Sequence, residues 1–251
     1  MSKHYIIMSS SYIDGTRIAF DITKDSLLKE TEIAKILQKI KNSCGNDVPL
    51  STHFIETQSA SWTSVQEYDP FFENVVCVES ISDFISKIAA GRVLSGLDVA
   101  VYILSKKRCT HLSLEKLVYF AYADYLCQYA ARLFEDKIYA FIYGPVIKSV
   151  YDTYRKNGYK YLDPNTSNRL LQTSVKEMPA KSRILFAENG AEKLSSIDQT
   201  LKKYGHFTAN ELVDLTHREG SPWSRVGGVK EYQLISDELI MQYHSVECIE
   251  E

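Results

Sequence analysis

The spacing of apolar residues changes character near residue 95. Before that point, short alternating runs typical of strands mix with two amphipathic helix patterns, and after it helix patterns dominate. The pattern predicts an α+β chain in which a small α+β domain over residues 1–92 precedes a mainly α-helical domain over residues 93–251.

The first part opens with a predicted β-hairpin. Tyr5–Met8 is apolar, Asp14-Gly15 is a turn signal, and an alternation from Ile18 to Ile22 predicts the return strand. The other elements predicted here are a helix from Thr31 to Gly45, strands at His53–Glu56 and Val75–Val78, and a helix from Ser80 to about Gly91. Residues 57–72 follow no clear period.

In the second part, capping signals predict the helix starts. Ser95 and Thr208 are each followed three residues later by an acidic residue, as Ser80 is in the first part, and this is the form of a capping box. The helix from about Ser113 to Ala131 has two adjoining apolar faces, which predicts a central position with partners on both sides.

The remaining predicted elements follow in order: a helix from Gly144-Pro145 to Asn157-Gly158, an exposed connector over 159–182, a helix from Leu194 to Tyr204, and a short helix capped by Ser236.

Composition narrows the function classes without choosing one. The chain of 251 residues is 45% hydrophobic and 12% aromatic, enough apolar material for a core, and its net charge is −3. Up to Leu94 there are 9 Lys and Arg against 12 Asp and Glu, so neither part is a basic module. Nucleic-acid binding is therefore not expected.

The five cysteines are scattered and odd in number, and none forms a C-x-x-C pair. This spacing supports neither a disulfide framework nor a zinc ribbon, and no metal or cofactor is predicted. The four-residue apolar run after His4 is too short for the core of a signal peptide, and no apolar run approaches a membrane span. We expect a cytoplasmic protein.

Two short motifs in the second part carry a family resemblance. The first is Tyr143-Gly144-Pro145-Val146, and the second is the run Thr216-His217-Arg218-Glu219-Gly220-Ser221-Pro222-Trp223. Leu97–Leu104, Leu114–Ala121 and Leu133–Asp136 precede them in matching order. Together these blocks, over roughly residues 95–226, resemble the Panacea (SocA-like) antitoxin domain family. The first 92 residues lie outside this resemblance.

Two departures from the family pattern accompany the resemblance. Tyr122–Tyr125 stands where the family tends towards a Gln-Gly-Trp-like segment, and Ser221 widens the step between Glu219 and Pro222. The resemblance implies a helical fold and neutralisation of a protein toxin by direct contact.

The motif residues have structural and functional interpretations. Gly144 and Pro145 are typical of a rigid turn, although a partner contact is the alternative. His217 is more typical of a hydrogen-bonded packing residue than of a catalyst. Trp223, after Pro222, is expected to plug the segment onto the core, with an interface anchor as the alternative.

A stripe of tyrosines on the predicted central helix is the candidate partner-binding surface. Tyr122, Tyr125 and Tyr129 recur at helical spacing, which is usually a core pattern. Several buried tyrosines on one helix would each need a hydroxyl partner. Partial exposure as a rigid binding surface is therefore the alternative, and these three residues are the predicted contact set.

No catalytic constellation is found in the sequence. Cys109 and His111 are close along the chain without the geometry of a nucleophile and its base, and the common hydrolase, metalloprotease and nucleotide-binding motifs are missing. The protein is not expected to be an enzyme, and a site near His217 and Tyr143 is the weakest alternative.

The leading hypothesis is an antitoxin of a toxin–antitoxin system, on a prophage or other mobile element. Its expected partner is a cognate protein toxin encoded by an adjacent gene, and a homo-oligomer is also possible. The alternative from another class is a phage or mobile-element adaptor that presents a partner to host machinery.

Overall fold

A computed structural model describes residues 1–24, 29–162, 180–227 and 232–249. These residues divide into two compact units. The N-terminal unit contains Met1–Val93 and Phe186–Asn189, and the C-terminal unit contains the other described residues from Leu94 onwards. The α+β class is confirmed, with a sheet region followed by a helical region.

The N-terminal unit is built on a four-stranded sheet in the order β3-β1-β2-β4. Its strands are β1 (Ser2–Ser11), β2 (Thr16–Lys24), β3 (Ser51–Thr57) and β4 (Val75–Cys77). β1 pairs antiparallel with β2 and β3, whereas β2 pairs parallel with β4. The predicted hairpin is confirmed.

Three helices complete this unit: α1 (Glu30–Cys44), α2 (Trp62–Tyr68) and α3 (Ile81–Arg92). α1 and α3 share one apolar cluster with the sheet, in which Ile7, Ile18 and Phe84 are fully buried. A second cluster contains Ile6, the neighbour of Ile7 on β1, together with Val65 of α2. Successive side chains of β1 therefore enter two different cores. α2 lies in the segment for which the sequence showed no period.

Helices dominate the C-terminal unit. They are α4 (Gly96–Lys106), α5 (His111–Tyr129), α6 (Lys148–Tyr154), α7 (Ala180–Phe186), α8 (Gly190–Tyr204), α9 (Ala209–Thr216), α10 (Pro222–Arg225) and α11 (Asp237–Tyr243). The last residue of α7 is grouped with the N-terminal unit. The reciprocal capping boxes predicted at Ser95 and Thr208 are present. Ser80 and Ser236 cap their helices through the side-chain oxygen.

α5 is the central helix of this unit, as its two apolar faces predicted. Every side chain from Ser113 to Ala123 is buried. α4, α6, α8, α9 and α11 all pack against it.

A small sheet in the C-terminal unit was not predicted. Its strands are β5 (Ile138–Phe141), β6 (Gly144–Ile147) and β7 (Gln233–Ile235), all antiparallel in the order β6-β5-β7. The predicted helix start at Gly144-Pro145 is wrong, because α6 begins only at Lys148. Pro145 instead lies opposite Ala140 on an edge strand, where proline's missing N–H is tolerated.

Most of the connector predicted over 159–182 lies outside the described residues. Of its described ends, Tyr159 and Tyr161 are exposed, whereas Ala180 already begins α7.

Among the described helices, none is by itself long and apolar enough to cross a membrane. The successive helices α3 and α4 reach the required length and composition only when taken together, and they are not one continuous helix.

Candidate functional site

The two sequence motifs meet around a buried lysine. Lys116 of α5 is completely buried, and its Nζ donates a hydrogen bond to the Pro145 carbonyl oxygen at 2.7 Å. A Cβ added to Gly144 would lie 2.6 Å from Thr216 Oγ1 and 2.9 Å from Lys116 Nζ. We call Lys116, Gly144, Pro145, Thr216, His217 and Trp223 the motif junction.

Gly144 meets two requirements at this junction. Its φ of +102° lies in the region that side-chain-bearing residues avoid, and no space remains for a side chain. The structural interpretation of this turn therefore has a direct physical basis.

The second motif is held by hydrogen bonds within its own loop. Thr216 is the buried last residue of α9, and its carbonyl accepts a hydrogen bond from Ser221 Oγ at 2.7 Å. Ser221 Oγ also accepts from the Ser224 backbone N–H, which caps α10, and Pro222 occupies the first turn of that helix. Ser221, one of the two departures from the family pattern, is thus the cap of a short helix.

Trp223 docks this short helix on the small sheet. Its indole Nε1–H donates to the Phe141 carbonyl at 2.8 Å, and its ring stacks on His217 with a centroid separation of 3.6 Å and an interplanar angle of 3°. This geometry fits the plug interpretation.

His217 is half-buried, and its Nε2 has no hydrogen-bond partner among the described residues. Burial, and secondarily the nearby Lys116 ammonium, lower the pKa of His217 below its usual value. A neutral imidazole stacked on indole suits the packing role that the sequence interpretation favoured, but the hydrogen bond expected with it is not seen at Nε2 among the described residues.

Burial dominates the electrostatics of Lys116 and its neighbour Glu115. Burial lowers the pKa of Lys116 to about 7, although Glu115 and Glu247 act in the opposite direction. Burial also raises the pKa of Glu115 to about 8, opposed by Lys116 and by a hydrogen bond from the Ile147 N–H at 3.2 Å. Both groups therefore titrate near neutral pH inside the core.

The titration of Glu115 predicts a pH-dependent stability. Between pH 4.5 and 8 the folded protein retains a proton that the unfolded chain has released, so the wild-type free energy of unfolding falls as pH rises. Glu115→Gln removes this contribution. We therefore expect the wild-type free energy of unfolding to fall by about 1–3 kcal/mol relative to that of Glu115→Gln from pH 5 to pH 8, as measured by urea titrations.

Two further variants control this experiment. Lys116→Met should give the opposite slope between pH 7 and 10.5, because there the unfolded chain holds the proton that the folded protein has lost. Glu135→Gln alters an exposed carboxyl of the same unit and is the control for removing a surface carboxylate. Parallel curves for Glu115→Gln would contradict the assignment of a perturbed Glu115.

The other first-motif residues lie apart from these charges. Val146 is buried in β6, whereas Tyr143 is 61% exposed at the tip of the β5–β6 hairpin. The neighbouring Ile142 is 56% exposed. The junction is thus internal, and the hairpin tip beside it faces solvent.

The tyrosine stripe is mostly internal, which corrects the expectation of an exposed surface. Tyr122 is 2% and Tyr125 is 1% exposed, and only Tyr129 is partly exposed. The Tyr122 hydroxyl donates to Asp237 Oδ1 at 2.7 Å and the Tyr125 hydroxyl to Glu192 Oε1 at 2.8 Å. The hydroxyl partners demanded by burial are present, which favours the core interpretation.

Sequence reasoning missed Lys116 and Glu115. The available signal was an adjacent pair of opposite charges inside the apolar run Leu114–Ala121, on a helix predicted to be buried on both sides. A central helix leaves no solvent face for such a pair.

The motif junction acts as a structural clamp, by which we mean that its side chains hold neighbouring backbone segments together. Lys116 Nζ is bonded to a backbone carbonyl and shielded from solvent, and Trp223 and Thr216 use their polar groups to bond the backbone. This arrangement fixes the hairpin and the second motif relative to α5.

Comparisons with known proteins agree with the motifs. Residues 114–224 match the model of the family described as Antitoxin SocA-like, Panacea domain. The resemblance predicted over roughly 95–226 is therefore confirmed for these residues, which include the whole motif junction.

A curated relative points the same way. The chain is 28% identical over 114 residues to Antitoxin SocA of Caulobacter vibrioides (strain NA1000 / CB15N). The alignment covers 45% of this chain and 57% of that protein, so the chain spans little more than half of the relative's length. No solved structure matches the chain.

Proposed function

We propose that this protein is the antitoxin of a toxin–antitoxin system and neutralises a cognate protein toxin by binding it. The observation that carries the proposal is the antitoxin-family match over residues 114–224. Within this range Lys116 and Trp223 of the motif junction bond the protein's own backbone, an arrangement suited to holding a binding surface rather than to catalysis. The proposal places the protein in the cytoplasm, without enzymatic activity and without nucleic acid as its main partner.

The toxin-binding surface that we propose lies on the small sheet next to the motif junction. It consists of four exposed apolar side chains, which we call the hairpin surface: Ile142, Tyr143, Tyr232 and Leu234. Tyr232 donates its backbone N–H to the Ala140 carbonyl at 3.2 Å, which places it beside β5. Its ring lies 5.0 Å from that of Phe141.

The composition of the hairpin surface suits a protein partner. Exposures of 61% for Tyr143 and Tyr232 leave two large amphipathic rings available for contact. Tyrosine provides large contact area at low entropic cost, and tyrosine is enriched among residues that dominate binding energy. The clamp beneath holds the hairpin in one conformation, which lowers the ordering cost of binding.

Co-expression tests the proposal. The product of an adjacent gene should arrest growth when expressed alone, and this protein should restore growth and co-purify with it. Tyr143→Ala and Tyr232→Ala should each weaken the complex by about 1–2 kcal/mol, roughly 5- to 30-fold in Kd, by calorimetry. Tyr129→Ala tests the partly exposed end of the tyrosine stripe in the same assay.

Tyr159→Ala is the matched control, because Tyr159 is 95% exposed in the same unit but not on the small sheet. Only variants that melt like wild type are compared. If the double variant at Tyr143 and Tyr232 binds undiminished, the toxin contacts another surface. If no adjacent gene encodes a toxic product and this protein co-purifies only with host proteins, the adaptor alternative replaces the antitoxin proposal.

A further inference from the structure

A second polar cluster lies on another part of α5. Asp124 near the end of α5, His244 after α11 and Cys248 offer an oxygen, a nitrogen and a sulfur atom that all lie within 4.8 Å of one another. His244 Nε2 is 2.8 Å from Asp124 Oδ1, and Cys248 Sγ is 3.4 Å from the His244 carbonyl oxygen. We propose that these three side chains form a Zn²⁺ site.

The donor set suits zinc in type and spacing. Zn²⁺ binds thiolate, imidazole and carboxylate at about 2.0–2.3 Å, and tetrahedral sites with three protein ligands keep a fourth position open. Ligand atoms of such a site are separated by about 3–4 Å. Small side-chain movements bring the present spacing into that range.

Two of the three proposed ligands, His244 and Asp124, each already have a hydrogen-bond partner outside the donor set, as ligands in metal sites commonly do. His244 Nδ1 lies 2.8 Å from Glu247 Oε1, and Thr200 Oγ1 donates to Asp124 Oδ2 at 2.7 Å. A carboxylate on Nδ1 fixes the tautomer that leaves the Nε2 lone pair for a metal. Glu247 is itself fully buried and is oriented by the Tyr119 hydroxyl at 2.5 Å.

The contact between His244 Nε2 and Asp124 marks the place for the ion. A hydrogen bond between these atoms requires a proton on the line joining them, and a metal ion can replace that proton by binding both atoms. In the metal-bound form, Nδ1–H still donates to Glu247, so the outer partners are unchanged.

Asp124 also gives the site a route to solvent. It lines an open cavity of about 510 Å³ between α5 and α8, whose other walls include Gln128, Gln199, Thr200 and Lys203. A water molecule in this cavity can complete the tetrahedron. His244 and Cys248 lie beyond the family-matched residues, so the site is a property of this chain and not of the matched domain alone.

Cobalt substitution in the full-length, chelator-treated protein tests the proposal. One equivalent of Co²⁺ should produce the visible absorption of tetrahedral cobalt and a near-ultraviolet thiolate-to-metal band, and Zn²⁺ should displace both. Zn²⁺ should also raise the melting temperature, because it binds the folded state preferentially. Cys248→Ser should abolish the thiolate band, and Asp124→Asn should weaken Zn²⁺ binding at least about tenfold.

Cys127→Ser is the matched control. Cys127 lies on α5 close to the cluster, but its Sγ contacts the Ile240 carbonyl and is not a member of the donor set. Its variant should keep the complete cobalt spectrum. The proposal is overturned if the wild-type protein gives no tetrahedral cobalt spectrum, or if the thiolate band survives Cys248→Ser or disappears in Cys127→Ser.

Discussion

Replacing Gly144 with valine is expected to lower the free energy of unfolding of the C-terminal unit by at least about 3 kcal/mol. Two effects add. Valine resists the backbone φ of +102°, and its Cβ would enter the space of Thr216 Oγ1 and Lys116 Nζ, at 2.6 Å and 2.9 Å. Relief would require both Thr216 Oγ1 and the buried Lys116 side chain to move. Thermal and urea melts measure the change.

Gly158→Val separates backbone strain from crowding. Gly158 also has a positive φ, +55°, but a Cβ there would meet nothing within 4 Å. We expect Gly158→Val to cost only the backbone term, about 1–3 kcal/mol. If Gly144→Val melts like wild type and yet loses its toxin, the turn acts in binding and its structural interpretation is wrong.

Local signals in the sequence were sufficient for most helices. Ser95 and Thr208 define helix starts because a capping box is complete within four residues. The β1–β2 hairpin was equally local, since its turn and both strands are contiguous. Such elements are specified by neighbours along the chain.

The failures arose where distant parts of the chain decide the structure. Gly-Pro is compatible with a helix start and with an edge strand, and the choice at Pro145 depends on pairing with β5 and on Lys116 from α5. β7 joins the same sheet from about 90 residues further along the chain. Periodicity within a window cannot contain this information.

The residues of the candidate site could likewise be predicted only where they are contiguous in the sequence. Tyr143 to Val146 and Thr216 to Trp223 could be found because motifs are contiguous, whereas their meeting point on Lys116 could not. Tyr122 and Tyr125 were ambiguous because their hydroxyl partners, Asp237 and Glu192, are 115 and 67 positions away. The sequence likewise gave no metal prediction, since Asp124 and His244 are separated by 120 positions.

Replacing Glu247 with alanine is expected to lower the free energy of unfolding by about 3–5 kcal/mol. Glu247 is fully buried and accepts hydrogen bonds from Tyr119 at 2.5 Å and from His244 Nδ1 at 2.8 Å. Its removal leaves a buried hydroxyl and a buried imidazole without their acceptor, and it opens a cavity beside α5. In a chain of this size, the expected fall in melting temperature is about 10 °C or more.

The size of this loss distinguishes a connected network from a set of independent bonds. Tyr119→Phe removes one hydroxyl while Glu247 keeps His244, so we expect a loss of only about 1 kcal/mol. Glu135→Ala, at an exposed carboxylate of the same unit, should change stability by less than about 0.5 kcal/mol. A loss for Glu247→Ala no larger than that for Tyr119→Phe would mean that His244 does not depend on Glu247. The carboxylate would then hold only the tyrosine, and His244 would depend on Asp124 as its hydrogen-bond partner on α5.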